Sequence, residues 1–410
     1  MTKVFSRRSL LRSGLGATLA AGFADRAFAA NSPRARAVIL LYMAGGPSHI
    51  DTFDLKPGRP TGGPFRPART AASGIQISEH LPRLGRAMKQ IALIRSLTSK
   101  EGNHDRARHL MHTGYAPAGG VDHPAFGSVV SEARAQPSHT LPGYVAIGGP
   151  GQDSGFLSAA HSPFPVKNPQ KPVKYLGRAR GIDDERWQRR LDLWRALEER
   201  FASERGGAFA RSRREIGEKA ISLMSGGVEA FDLSREPETV RARYGDTAFG
   251  AGCLRARRLV QAGVPVVEVT LTGWDTHEDN FERVKTLSAT LDQGMGELLA
   301  DLRASGLLTS TLVVWMGDFG RTPRINEKGG RDHHPAASCA LFAGAGVRGG
   351  QVIGATDDDG AEVCERPVTV ADLYRSIALL TGLDPDRMRM SPAGRPIKTV
   401  DVGKPIDGLV

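Results

Sequence analysis

A continuous apolar run, AVILLYM from Ala37 to Met43, ends abruptly in Ala44, Gly45, Gly46 and Pro47, and this feature restricts the fold more than any other. Seven apolar residues without alternation suit a strand buried on both faces, which is the habit of parallel sheets covered by helices. Three later runs repeat the design: VPVVEVTL (264–271), TLVVWMG (311–317) and SCALFAG (338–344). Shorter strands are predicted at GYVAIGG (143–149) and at 91–93. Between them lie helical patterns at 106–113, 247–262 and 370–381, and a long helix from near Asn280. In that helix Val284, Leu287, Leu291, Met295, Leu298 and Leu302 recur every three or four residues. Helix, strand and polar loop in alternation predict an α/β fold with a mostly parallel sheet flanked by helices, whose ligands bind at the carboxyl ends of the strands.

Residues 155–240 depart from this rhythm and read as a helical insertion or lid, rich in Arg and Glu, with Asp183 and Asp184 at a helix N-terminus. No chemistry is visible in its pattern. The start of the chain carries a different signal. Ser6, Arg7, Arg8, Ser9, Leu10, Leu11 and Arg12 match a twin-arginine export motif, an apolar stretch follows from Gly14 to about Phe23, and Ala27, Phe28 and Ala29 form a small-x-small cleavage site. Residues 1–29 are therefore expected to be a signal peptide engaging the twin-arginine translocase, with 30–410 as the exported domain, periplasmic or extracellular. The apolar stretch is too short for a stable membrane span, which needs about 20 residues.

Removing the signal lowers the formal charge from +11 to +7. The arginines are interleaved with acids, as on a solvated helix face, so the composition does not suggest a nucleic-acid partner. Cys253, Cys339 and Cys364 lie far apart with no C-x-x-C spacing, which indicates neither a disulfide framework nor a thiolate zinc site.

The chemistry concentrates in five loops. GGPSHIDTFD holds Ser48, His49, Asp51, Thr52 and Asp54; GNHDRARH holds Asn103, His104, Asp105, Arg108 and His109; GWDTH holds Asp275 and His277; GDFGRTP holds Asp318 and Arg321; GRDHHP holds Arg331, Asp332, His333 and His334. Seven of the eleven histidines lie in or beside these loops. Imidazole and carboxylate without thiolate is a ligand set for zinc, manganese or another divalent cation. Spacings of two, as in His49 with Asp51 and Asp275 with His277, let both side chains of an extended stretch face one way. Arg321 and Arg331 are candidates for holding an anionic substrate, with pairing to Asp318 and Asp332 as the alternative.

These motifs, together with the twin-arginine signal, resemble the bacterial family catalogued as domain of unknown function 1501, a relative of the alkaline phosphatase and sulfatase superfamily. The likeness runs from about Val38 to the C-terminal helix. It implies an alkaline-phosphatase-like α/β domain with one or two divalent metal ions (zinc, manganese or calcium). On that resemblance Asp51 matches a first metal-binding aspartate, Asp275 with His277 a later ligand pair, and His333 or His334 a late histidine ligand; His49 and Asp318 join the expected metal set. Arg108, Leu110, Thr113 and Gly114 are similar to the stretch around a sulfatase nucleophile. That alignment puts His104 at the nucleophile position in place of Cys or Ser, so His104 and Arg108 are the expected catalytic residues, with Asn103, Arg321 and Arg331 on the substrate. Phe319 stands where many superfamily members have histidine. The implied activity is exported, metal-dependent hydrolysis of phosphate or sulfate esters of an anionic small molecule or polymer. The alternatives are a catalytically degenerate cell-envelope binding protein and a phosphotransferase or mutase of the same fold.

Overall fold

The computed structural model describes residues 35–117, 119–136 and 140–410; the predicted signal peptide lies outside them. A nine-stranded sheet organises the molecule. Its strands are β1 (Ala37–Met43), β2 (Ile91–Thr98), β3 (Tyr144–Ile147), β4 (Phe164–Val166), β5 (Val266–Leu271), β6 (Thr311–Gly317), β7 (Ser338–Ala343), β8 (Gln351–Ile353) and β9 (Val368–Thr369). Across the sheet the order is β8, β2, β7, β6, β1, β5, β3, β4, with β9 also beside β2. The AVILLYM strand is central, parallel to β5 on one side and β6 on the other.

Residue alternation along β1 feeds two cores. Ile39, Leu41 and Met43 enter one, against α6 (Ala248–Gln261) and α7 (Asn280–Ala304). Val38 and Tyr42 enter the other, against α3 (Phe126–Ala133) and α8 (Val370–Leu380). Burial on both faces explains the unbroken apolar run, each buried Val or Leu contributing about 1.5–3 kcal/mol.

Two expectations need correction. The SCALFAG strand, β7, runs antiparallel to both neighbours, β2 and β6. The connection from β6 to β7 contains no crossover helix, so the chain returns in the opposite direction. The 155–240 segment is not helical throughout: β4 lies within it and pairs in parallel with β3. Pro163, Pro165, Pro169 and Pro172 remove backbone donors and keep that stretch from helix. Long helices begin only at α4 (Asp184–Arg205), where the Asp183 carboxylate accepts from the Arg186 amide at 2.7 Å, and continue in α5 (Gly207–Gly226). All three cysteines are free.

Because Met43 is level with Leu271 and Gly317, the loops leaving β1, β5 and β6 open at one edge of the sheet. The chain leaving β2, parallel to β6 across the antiparallel β7, reaches the same edge and turns into α2 (His104–Thr113). There the Asn103 side chain caps the helix, accepting from the amides of Asp105 and Arg106 at 3.1 and 3.2 Å.

Candidate metal centre

Three imidazoles converge on one carboxylate oxygen at this edge. The Nε2 atoms of His104, His277 and His333 lie 3.4, 3.1 and 3.3 Å from Oδ1 of Asp275. His277 Nε2 and His333 Nε2 are 3.0 Å apart. One ligand atom each from His104, Asp275 and His333 falls within a 4.8 Å span, the spacing a single ion requires.

What faces the other ring nitrogens fixes the tautomers. His104 Nδ1 is 2.7 Å from Asp318 Oδ2, a carboxylate that also accepts from the Tyr42 hydroxyl and, at 3.0 Å, from the Gly45 amide. His277 Nδ1 is 2.8 Å from Asp332 Oδ1. His333 Nδ1 is 2.8 Å from the Gly102 carbonyl, which can only accept. Each Nδ1 therefore carries the proton, so that a neutral ring at any of these positions turns its Nε2 lone pair inward. His104 Nε2 is buried without a hydrogen-bond partner. Neutral rings in this arrangement would direct three imidazole lone pairs at the Asp275 oxygen, which also accepts from Arg321 at 2.6 Å, and a cation between them would relieve the repulsion. Carboxylate or carbonyl behind each histidine is also the arrangement that orients metal-binding imidazoles.

Local sequence explains each placement. Asp275 and His277 sit two apart in an irregular loop, with Asp275 Oδ1 and His277 Nε2 3.1 Å apart. His333 and His334 form a two-residue ladder with Arg321 and Gly320, so the two neighbours point to opposite sides. Gly45 has φ of +111°, and a Cβ there would lie 2.4 Å from the Asp275 amide nitrogen, so only glycine lets these loops approach. The Phe319 ring packs 4.9 Å from His104 and 4.6 Å from His333, supporting both imidazoles from one side.

Electrostatics act differently on these groups. Burial works against the Asp275 carboxylate, but the hydrogen bond and charge of Arg321, with His104 and His277, hold its pKa at about 2. Burial, reinforced by Arg321 and His104, pushes His333 below the ordinary imidazole value. The hydrogen bond to Asp318 draws His104 above it, with burial opposing.

With this geometry in view, residues 35–410 match the family described as "Protein of unknown function (DUF1501)". The chain belongs to the DUF1501 family. No curated protein matches it. Among solved structures it is similar to the PsFucS1 sulfatase from Pseudoalteromonas sp., at 15% identity, TM-score 0.42, with 88% of this chain and 71% of that one covered. The lipoteichoic acid synthase LtaP from Listeria monocytogenes follows at 10%, 0.39, 87% and 74%. An alkaline phosphatase from the Antarctic bacterium TAB5 stands at 13%, 0.37, 86% and 99%.

Other residues marked in the DUF1501 sequence lie elsewhere. Asp51 receives Arg331 Nε at 2.7 Å and Nη2 at 3.0 Å, and Asn280 Nδ2 at 2.8 Å, with both charged side chains fully buried. Asp51 is thus a structural ion-pair partner, and Arg331 is not exposed to an anion. His49 with Asp51 does not form an extended ligand pair, because residues 49–52 make a helical turn capped by Ser48. The two remaining histidines bond backbone instead: His49 Nε2 to the Gly360 carbonyl at 2.8 Å, His334 Nε2 to that of Ala361 at 2.6 Å. Asp318 stands behind His104. Arg321 is fully buried, bonding Asp275 at 2.6 Å and the carbonyls of Gly45, Gly46, Trp274 and Arg331, so it braces the loops. Arg108 donates to the Gly151 carbonyl at 3.1 Å, and Asn103 serves as a helix cap. Tyr42 was missed by sequence reasoning; its signal was a single hydroxyl at the end of an otherwise apolar core strand.

Proposed function

We propose that the chain is an exported, metal-dependent hydrolase of phosphate or sulfate esters, holding one divalent cation between His104, Asp275, His277 and His333. The observation that carries this reading is the convergence of four ligand-type atoms on one point, with an acceptor behind the Nδ1 of every histidine. Three imidazoles and a carboxylate suit zinc or manganese better than calcium, which prefers an all-oxygen shell. Such a cation supplies Lewis-acid stabilisation of charge developing on a phosphoryl or sulfuryl oxygen. The chain's own contribution is orientation: Asp318, Asp332 and Gly102 hold the rings, and Arg321 keeps Asp275 ionised. His104 acts in this scheme as a ligand rather than a nucleophile. Water is the attacking group in this scheme.

A second reading, a catalytically degenerate cell-envelope binding protein, draws on the burial of Arg321 and Arg331, neither of which is exposed to grip a substrate anion. Elemental analysis of protein purified without chelators separates these readings. One equivalent of zinc or manganese, lost in His333→Ala, with turnover of aryl phosphates or sulfates also lost, supports the hydrolase. Bound metal without turnover of any ester favours the binding protein, transfer to an added alcohol in preference to water favours a phosphotransferase, and absence of metal from the wild type sinks the centre itself.

A further inference from the structure

The helical insertion holds an unusual surface. Residues 167–226 contain 15 Lys and Arg against nine Asp and Glu, so a segment of 60 residues accounts for six of the chain's eleven formal positive charges. The same segment carries most of the large apolar side chains left in solvent: Tyr175 is 91% exposed, Phe209 72%, Leu193 62% and Leu197 55%. Over its whole length α4 is charge-balanced, with six Arg against six Asp and Glu, but one of its faces combines arginines with apolar side chains. Arg186, Arg189, Arg190, Leu193, Leu197 and Arg200 follow helical spacing and are all exposed, so arginines flank a pair of leucines on one face. Arg189 and Arg200 pair with Glu185 and Glu204, each one turn away on the same helix. The inward side of the hairpin is already used, with Leu191 and Glu198 buried and Glu198 bound to Arg213 of α5 at 2.9 Å.

We infer that the α4–α5 hairpin docks on an anionic lipid bilayer, lying in the headgroup plane with Leu193, Leu197 and Phe209 inserted and the arginines on lipid phosphates. Charge complementarity selects the partner: a soluble polyanion would use the arginines but leave the leucines in water, whereas an anionic membrane surface accommodates both. Among the described residues no helix is long and apolar enough to cross a membrane, so the contact is peripheral.

Fluorescence makes the test local. Trp187 and Trp194 lie on α4, Trp274 and Trp315 are buried elsewhere, and residues 1–34 contain no tryptophan. The full chain is mixed with vesicles of brominated phosphatidylglycerol and phosphatidylcholine, or of brominated phosphatidylcholine alone, and tryptophan quenching is followed with cosedimentation. Quenching by the anionic vesicles only, weakened at least about tenfold in Arg186→Glu/Arg190→Glu and in Leu193→Ser/Leu197→Ser, is the expected result. Unchanged far-ultraviolet dichroism and metal content would show that the variants remain folded. Absence of quenching, equal quenching by neutral vesicles, or equal quenching of the variants would overturn the inference. So would self-association in light scattering that the leucine variant abolishes, because the face would then belong to a second copy of the chain.

Discussion

Two groups of ligand-type residues come from the same loops and end in opposite environments. His104, Asp275, His277 and His333 meet at the sheet edge with their lone pairs turned inward, and Asp275 is 45% exposed. His49, Asp51, Arg331 and His334 turn away; Asp51 and Arg331 are fully buried and neutralise each other. Adjacent residues can fall on either side of this division, as His333 and His334 do. Loop membership therefore does not decide which residues form a metal centre; what faces the second ring nitrogen or the second carboxylate oxygen does. An acceptor behind a ring leaves the inward ring nitrogen free, whereas Asp51 gives both oxygens to Arg331 and Asn280; Asp275 gives Oδ1 alone to Arg321 and stays half-exposed.

The largest effect that could break the division is on stability. Arg331→Ala leaves Asp51 as a buried, unpaired charge and should cost about 3–5 kcal/mol in urea unfolding. Replacing the pair together, Asp51→Leu with Arg331→Met, should recover much of that loss. If the double variant were no more stable than Arg331→Ala, the penalty would have to come from the guanidinium's bonds to Thr322, Pro323 and Thr61 instead. A smaller effect belongs to the other group. Asp332→Asn removes the carboxylate behind His277 and should weaken metal affinity about 10- to 100-fold in competition titrations. Asp332 is 57% exposed, so unfolding should shift by no more than about 0.5 kcal/mol. An unchanged affinity would mean that His277 is not a ligand.

The sequence revealed the architecture and pointed to all four residues proposed as the centre. AVILLYM, TLVVWMG and the heptad-like face of α7 were legible because two-sided burial and helical spacing each leave a residue pattern. The direction of β7 was not, since a strand's composition is the same in either orientation and only the missing crossover helix marks the reversal. Asp275 and His277 were readable from a spacing that suits extended chain. The identical spacing of His49 and Asp51 misled, because Ser48 caps a helical turn there and rotates the two side chains apart. Asp51's partner could not be read at all: Arg331 lies 280 residues away, and that contact is made only by the folded sheet.

A third buried pair lies behind the centre and sharpens the comparison through pH. His112 Nε2 is 3.3 Å from Glu268 Oε1, both side chains about 2% exposed, and the Tyr42 ring that rests 4.3 Å from His112 sends its hydroxyl to Asp318. Burial opposes the charge on His112, but Glu268 and the hydrogen bonds to Glu268 and Arg108 outweigh it and raise the pKa above the ordinary value. Burial likewise opposes the charge on Glu268, and His112, Tyr144 and Thr270 overcome it and lower the pKa. The raised histidine stabilises the fold below its unfolded pKa of about 6.5, and this contribution disappears as pH rises through the folded value. The lowered glutamate contributes above its unfolded pKa and stops contributing as pH falls through its folded one. Stability should thus decline in urea midpoints as pH rises above about 6.5 through the raised folded value. In Glu268→Gln the bond from His112 to the Arg108 carbonyl remains but the carboxylate charge is lost, so burial gains weight, the His112 pKa falls, and the decline with pH should shrink or reverse. Parallel slopes in the two proteins would show that His112 stays neutral beside Glu268, so that this contact is a hydrogen bond and not a charge pair like Asp51 with Arg331.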